Sequence, residues 1–337
     1  MRKPTQMETF DTLYALAAQN GREEALFGTS IELARPVYEK SLIGDSYPIA
    51  YLEFPLLGEP CFDLLTVHAN IPEGARFAEG AGFGYQPMYD WFSSLSESDS
   101  VSCGIELDTG SGETERAGAY MQYRKHDELI APFLESIGES SRLDSYLAVK
   151  KRLPEGWDPA YVGLFPGRPG TPMRIGGYLS GKEVKACAQD CACLRDRLDR
   201  AGYSAYTPEM LERCRTFMEL APSIDYQFDI MADGSLGPTF GLSLSFNETK
   251  PRDARECMEN GYGARIMEQL ETWGLADDRW KLIADAAFAR HIPVENEDGS
   301  EERFALCVLF NYAKVKFTDG VASPAKFYFV LKSGVVE

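Results

Sequence analysis

Histidine is scarce in this 337-residue chain. His68, His126 and His291 are the only ones, no two stand at the spacing of metal ligands, and none forms a recognisable pairing with a cysteine. That argues against a histidine-bound metal and against a thiol nucleophile activated by a neighbouring imidazole. Excess positive charge is missing as well: a formal net charge of −18 argues against a protein that grips a nucleic-acid backbone, because that affinity comes from clustered Lys and Arg. No stretch approaches the roughly 20 apolar residues that span a bilayer. Met1-Arg2-Lys3-Pro4-Thr5 runs into an amphipathic segment without a secretory apolar core, so the expectation is a soluble, cytoplasmic protein without a membrane partner. Among the cysteines, Cys61, Cys103, Cys257 and Cys307 are scattered in apolar runs, where free thiols act as small hydrophobes. Cys187, Cys191 and Cys193 form C-x3-C-x-C with no companion Cys or His pair at zinc spacing, and are read as reduced structural thiols.

What the chain does have is material for a large core, at 44% hydrophobic and 26% charged, arranged as a repeat. Two helices are expected over 7–19 and 22–39, parted by Asn20-Gly21. A β-hairpin follows, 47–54 with 62–68, then a helix over 87–95. The second unit pairs 101–107 with 117–123 and leads into a helix over 127–137. The third pairs 161–165 with 173–179 across Pro166-Gly167-Arg168-Pro169-Gly170, followed by helices over 182–201, ended by Gly202, and 207–220, opened by the cap Thr207-Pro208-Glu209. The fourth pairs 224–231 with 239–246, with helices over 252–273 and 278–290. A last hairpin over 304–332 turns at Thr318-Asp319-Gly320. Hairpins alternating with helices repeat every 50 to 80 residues or so.

Ten antiparallel strands with helices between hairpins are most simply closed into a barrel, which removes the sheet edges and leaves the helices outside. The fold class is therefore α+β: a ten-stranded antiparallel β-barrel of five hairpins alternating with outer helices. It is read as one domain over 1–337, with a helical cap over 1–45. The strand period of two sorts the side chains. Phe240, Leu242, Leu244 and Phe246, with Met173, Ile175 and Leu179, go outward under helices. The opposite faces carry Glu53, Glu106, Gln122, Asp225, Gln227 and Asp229, with Ser243 and Ser245. They also carry the tyrosines Tyr120, Tyr178, Tyr312 and Tyr328 and the cations Arg124, Arg174, Lys314, Lys316 and Lys326. The run Asp63-Leu64-Leu65-Thr66-Val67 does not alternate cleanly, which leaves open whether Glu53 or His68 faces inward. A barrel of this width keeps a cavity.

Inward cations repel one another and lose hydration, so Arg124, Arg174, Lys314, Lys316 and Lys326 call for an anion, most simply a phosphate or diphosphate. Tyr120, Tyr178, Tyr312 and Tyr328 between them can stabilise a carbocation through their ring faces and wall it off from water. The pair suits an allylic diphosphate, with C–O ionisation followed by attack from an electron-rich nucleophile. Glu53 is the candidate base, with Glu106 in reserve.

The repeat order over nearly the whole chain, the Lys/Tyr alternation and the run Ala325-Lys326-Phe327-Tyr328-Phe329 resemble the ABBA-type aromatic prenyltransferases, in particular the indole (dimethylallyltryptophan synthase-like) branch. Arg116 to Tyr120 and Arg174 to Tyr178 repeat the basic-to-Tyr pattern at a longer spacing. The resemblance implies a barrel of repeated α-β-β-α units and a prenyl transfer with dimethylallyl the preferred group; a longer prenyl diphosphate such as geranyl stays open, as does the acceptor, whether an indole, tryptophan, a phenol or a side chain within a peptide. It also implies Glu53 as base, no metal and no cofactor besides the diphosphate co-substrate; a monomer is expected because closure already satisfies the sheet edges. The chain also lacks a D-D-x-x-D motif, with which helical prenyl synthases bind Mg²⁺ and diphosphate. Two other readings stay open: a barrel that binds a hydrophobic metabolite or peptide without chemistry, and a guanidine-modifying α/β propeller, which needs a reactive cysteine that thiol alkylation would reveal.

Overall fold

The five expected strand pairs form, and they close on themselves. The computed structural model describes residues 2–28, 31–95, 101–109, 117–168, 170–295 and 298–336; Arg116 of the longer-spaced pattern lies outside them. In chain order the strands are β1 (Ile49–Pro55), β2 (Asp63–His68), β3 (Ser102–Leu107), β4 (Gly118–Gln122), β5 (Tyr161–Leu164) and β6 (Met173–Tyr178). There follow β7 (Ile224–Ile230), β8 (Leu236–Ser245), β9 (Phe288–Glu295), β10 (Glu301–Thr318), the two-residue β11 (Val321–Ala322) and β12 (Lys326–Val336). Strands β1 to β8 pair antiparallel with their neighbours, β8 pairs with β10, β10 with β12, and β12 with β1, closing a ten-stranded barrel. The strand ends that the hairpins join therefore lie at one rim, and the ends that lead into helices lie at the other.

The helices cover the outside. They are α1 (Gln6–Ala18) and α2 (Ile31–Lys40), then α3 (Gln86–Ser93), α4 (Ile130–Ser136) and α5 (Leu143–Arg152). After the third hairpin come α6 (Gly181–Gln189), α7 (Cys191–Ala201) and α8 (Pro208–Leu220), and after the fourth α9 (Pro251–Asn260) and α10 (Tyr262–Thr272). Helix α1 lies against β10 and β12, α5 against β7, and α9 against β10. Under this shell the outward strand residues, among them Leu52, Ile105, Met121, Ile175 and Leu242, are fully buried. Each contributes about 1.5–3 kcal/mol of hydrophobic free energy.

Two long expected helices are broken. Asp190 leaves the helical region at φ −148° and caps α7, its side chain accepting from the Ala192 N–H at 2.8 Å. Gly261 parts α9 from α10 by leaving the helical region at φ −96°, ψ −157°, and the position takes glycine because a Cβ there would sit 2.8 Å from Cys257 Cα. The Thr207 cap, by contrast, is where the sequence put it, accepting from Met210 N–H at 3.1 Å ahead of Pro208. The span 278–290 is not one helix: two 3₁₀ turns, Asp278–Leu282 and Ala284–Ala286, precede β9, which pairs with the first half of β10. Strand β9 is a mostly exposed edge carrying Arg290, His291, Pro293 and Glu295, the charges and proline that protect an unpaired edge and that blur an alternating pattern. No helix among the described residues is long and apolar enough to cross a membrane.

Candidate active site

The barrel interior holds a cavity of about 340 Å³, and cross-strand register decides who lines it. Glu53 stands opposite Tyr328 on one side and Asp63 on the other, and all three face inward. His68 has the opposite parity. It is buried outside the barrel wall, Nδ1 2.9 Å from Ser46 Oγ and its ring edge-on to Tyr89, and burial lowers its pKa to about 4. The first hairpin thus presents Glu53 to the lumen. Strand β2 reads poorly because it is covered on both sides: Leu65 and Val67 line the lumen while Thr66 and His68 go under the helices.

The interior is layered along its axis. Toward the hairpin turns it is a lattice of ion pairs. Arg174 donates from Nε and Nη2 to the two carboxylate oxygens of Asp229 at 2.8 and 3.1 Å. Arg168, from the β5–β6 turn, donates to both oxygens of Asp108 at 2.7 and 2.6 Å and to Glu106 at 2.7 Å, and its guanidinium lies 3.8 Å from the Phe165 ring. Lys326 Nζ bridges Glu53 at 2.6 Å and Asp63 at 2.8 Å. Burial works to raise the Glu53 pKa, but the Lys326, Lys314 and Lys316 ammonium groups outweigh it and hold the carboxyl well below its ordinary range.

The five cations named from sequence therefore divide. Arg174 and Lys326 already have carboxylate partners, because the lumen supplies acids opposite them. Arg124 is exposed on the helix-side rim, in a left-handed backbone conformation at φ 48°. Lys314 and Lys316 remain, and among the described residues neither ammonium has a carboxylate within 4 Å. Lys314 is 6% exposed and lines the cavity. Burial first, then Arg174, lowers its pKa to about 8 against the pull of Glu53 and Glu106. The half-buried Lys316 is lowered further, by burial, Arg174 and Lys314.

Toward the helix-side rim the lining turns aromatic. Tyr312 and Tyr328 lie with ring centroids 4.1 Å apart, and Lys314 Nζ is 5.8 Å from the Tyr328 ring. Tyr120 packs against Tyr161 at 5.9 Å, and the Tyr178 hydroxyl accepts from Gln122 Nε2 at 2.7 Å where Tyr178 reaches the surface. Tyr161 lies across Gly176, where any Cβ would collide with its ring. Sequence reasoning passed over Tyr51 and Tyr161, which alternation with Glu53 and Gly163 would have found. It also passed over Arg168, which sits in a turn where no period applies. Among the described residues, five buried side-chain polar atoms of this interior have no hydrogen-bond partner: Arg168 Nη1, Asp225 Oδ1, Gln227 Oε1, Ser243 Oγ and Tyr328 OH. The Cys187, Cys191 and Cys193 group lies outside the barrel at the α6–α7 corner, with the Cys187 and Cys193 sulfurs 3.0 Å apart.

No protein-family model matches the chain, and no curated protein matches it. Solved structures do. The chain is similar to 5-dimethylallyltryptophan synthase from Streptomyces coelicolor, at 12% identity and a TM-score of 0.53, over 97% of each chain. It is also similar to the prenyltransferase PriB in its ternary complex with L-tryptophan and dimethylallyl thiolodiphosphate, at 11% identity and a TM-score of 0.51, over 98% of this chain and 96% of that one. At such identities the likeness speaks for the fold, and it agrees with the strand order and closure found above: the chain has the barrel fold of the ABBA-type aromatic prenyltransferases.

Proposed function

We propose that this protein transfers an allylic group, dimethylallyl by preference, from its diphosphate to an electron-rich aromatic acceptor inside the barrel. The observation that carries the reading is Lys314: a buried cation with no carboxylate within 4 Å among the described residues, facing a cavity beside the tilted Tyr312–Tyr328 pair, in a fold shared with enzymes of this kind. The co-substrate diphosphate binds at Lys314 and Lys316, and its charge offsets the desolvation that depresses both ammonium groups. The allylic C1–O bond breaks with its electron pair leaving on the diphosphate. Tyr312 and Tyr328, with Tyr120 and Tyr178 toward the rim, face the resulting cation and exclude water. An aromatic carbon attacks, and the proton lost from that carbon passes to the ionised Glu53.

Arg174 and Lys326 hold the lattice in register rather than gripping the diphosphate, unless its arrival draws them from Asp229 and Glu53. Their pairing favours the second reading, a barrel that binds an aromatic ligand without chemistry. Titration calorimetry with dimethylallyl thiolodiphosphate separates the two. Binding that persists in EDTA and weakens about 10- to 100-fold in Lys314→Met supports the donor site. Absence of binding would leave the non-catalytic barrel.

A further inference from the structure

The cysteines at the α6–α7 corner take no part in the lumen, and the corner brings two of them together. In an unbroken helix, residues six apart lie about 9 Å along the axis and about 240° around it. Here the chain leaves the helical region at Asp190, midway between Cys187 and Cys193, and their sulfurs lie 3.0 Å apart. The corner is pinned on both sides of them. The Cys193 N–H donates to the Asp190 carbonyl at 3.0 Å. Arg197 of α7 donates from Nε and Nη2 to the two carboxylate oxygens of Glu183 on α6 at 2.9 and 3.1 Å, and both helices pack on α8.

The third cysteine is turned away. Cys191 donates from Sγ to Glu212 Oε2 on α8 at 3.0 Å, and burial, then Glu212, pushes its pKa up to about 11 and keeps it a thiol. Among the described residues no three His, Cys, Asp or Glu side chains converge as the ligands of a metal ion do, so zinc does not account for the close pair. Two sulfurs so placed need to close only about 1 Å to reach the roughly 2.05 Å of a disulfide. Their access differs. Cys193 is half-buried at the surface and Cys187 is 1% exposed, the arrangement of a reacting sulfur with a resolving sulfur behind it.

We propose that Cys187 and Cys193 form a reversible oxidation site, a dithiol that a hydroperoxide converts to a disulfide stapling α6 to α7. Cys193, the accessible sulfur, gives its proton to water and attacks the terminal peroxide oxygen. The O–O bond breaks, the departing oxygen takes up a proton, and Cys193 is left as a sulfenic acid. The Cys187 sulfur then attacks the Cys193 sulfur, and the S–O bond breaks with the sulfenic oxygen leaving as water that carries the Cys187 proton. Two thiols lose two hydrogens and two electrons in all, and the peroxide gains them. Burial and the neighbouring Cys193 hold the Cys187 thiol above its ordinary pKa, against the pull of Arg197, which keeps Cys187 in reserve until a sulfenic acid stands beside it. The bond ties α6, which begins shortly after Tyr178, to its neighbour by a covalent link in addition to the Arg197–Glu183 pair.

The test uses the reduced full chain, hydrogen peroxide added in steps, and alkylation of the remaining thiols. Proteolysis on the N-terminal side of aspartate parts Cys187 from Cys193 at Asp190, so their disulfide appears in mass spectrometry as two joined peptides. The expected result is that two of the eight thiols are lost first, with Cys187 joined to Cys193, Cys191 alkylated, and both thiols recovered in dithiothreitol. Cys193→Ala is expected to abolish the link and Cys191→Ala to leave it, both variants checked for folding by circular dichroism. A link through Cys191, all eight thiols surviving the peroxide, or oxidation of Cys193 that dithiothreitol does not reverse overturns the proposal. Prenyl transfer is not the readout, so the fate of the proposed reaction does not bear on the result.

Discussion

Asp225→Asn is expected to stabilise the ligand-free protein at neutral pH, and the size of the effect follows from burial. The carboxyl ionises near 3.8 in the unfolded chain and at about 7 in the barrel. At 1.36 kcal/mol per pKa unit that interval amounts to roughly 4 kcal/mol. The sign is fixed by proton counting: between these two values the folded state holds a proton that the unfolded state has lost, so stability falls as pH rises. Below about pH 4 both states are protonated and the burden vanishes; above about 7 both are ionised and it is constant. Tyr178 on β6, Lys314 on β10, and Tyr120 and Tyr161 on β4 and β5 are titratable groups that face Asp225 across the lumen, and none of them changes charge between 4 and 7. Urea unfolding of wild type and variant across pH 4 to 8 reads the difference directly. The two should coincide at pH 4 and separate by several kcal/mol, variant the more stable, by pH 7.5. A difference that is independent of pH, or a variant less stable at pH 7.5, would show that Asp225 has a partner in solution and refute the reasoning.

Other expectations concern the chemistry and the shell. Glu53→Gln removes the proposed base and one of the two carboxylates that hold Lys326, Asp63 remaining, so turnover should drop about 10²- to 10⁴-fold while donor affinity holds or improves, a split visible in steady-state kinetics beside calorimetry. Donor binding should take up a proton at pH 8 and above, because Lys314 ionises at about 8 in the free protein and the diphosphate raises that value. Binding heats that do not vary with buffer ionisation enthalpy would contradict it. Leu242→Ala, at a fully buried position beneath the helices, should cost about 2–5 kcal/mol in denaturant unfolding and leave the activity of the folded fraction unchanged.

Much of the architecture was legible because a barrel wrapped in helices imposes a period of two on every strand. The inward sets Tyr312, Lys314, Lys316 and Asp225, Gln227, Asp229 described their strands correctly, for the residues between them, Ala313 and Val315 on one strand and Tyr226 and Phe228 on the other, are fully buried on the opposite face. Where both faces are covered by protein the code loses contrast, as in β2, whose inward face is partly Leu65 and Val67. Strand β9 was hidden by the charges and proline that guard its edge. Inward direction was also mistaken for isolation: Arg174 and Lys326 face the lumen, but Asp229, Glu53 and Asp63 meet them there. One of those pairs, Lys326 with Asp63, joins residues 263 positions apart, and no local pattern states which strands become neighbours. Asp225, a carboxylate of the interior with no ion pair among the described residues, became visible only once the paired ones were set aside.

The central claim is tested most directly by the mass of the product. The protein is incubated with dimethylallyl diphosphate and a panel of indoles, tryptophan, tryptamine, phenols and aromatic peptides, with and without EDTA. The account predicts an acceptor heavier by one dimethylallyl group, formed in EDTA as readily as without it and lost in Glu53→Gln. Intact acceptors throughout the panel, from a folded protein that also fails to bind the allylic diphosphate, would contradict it.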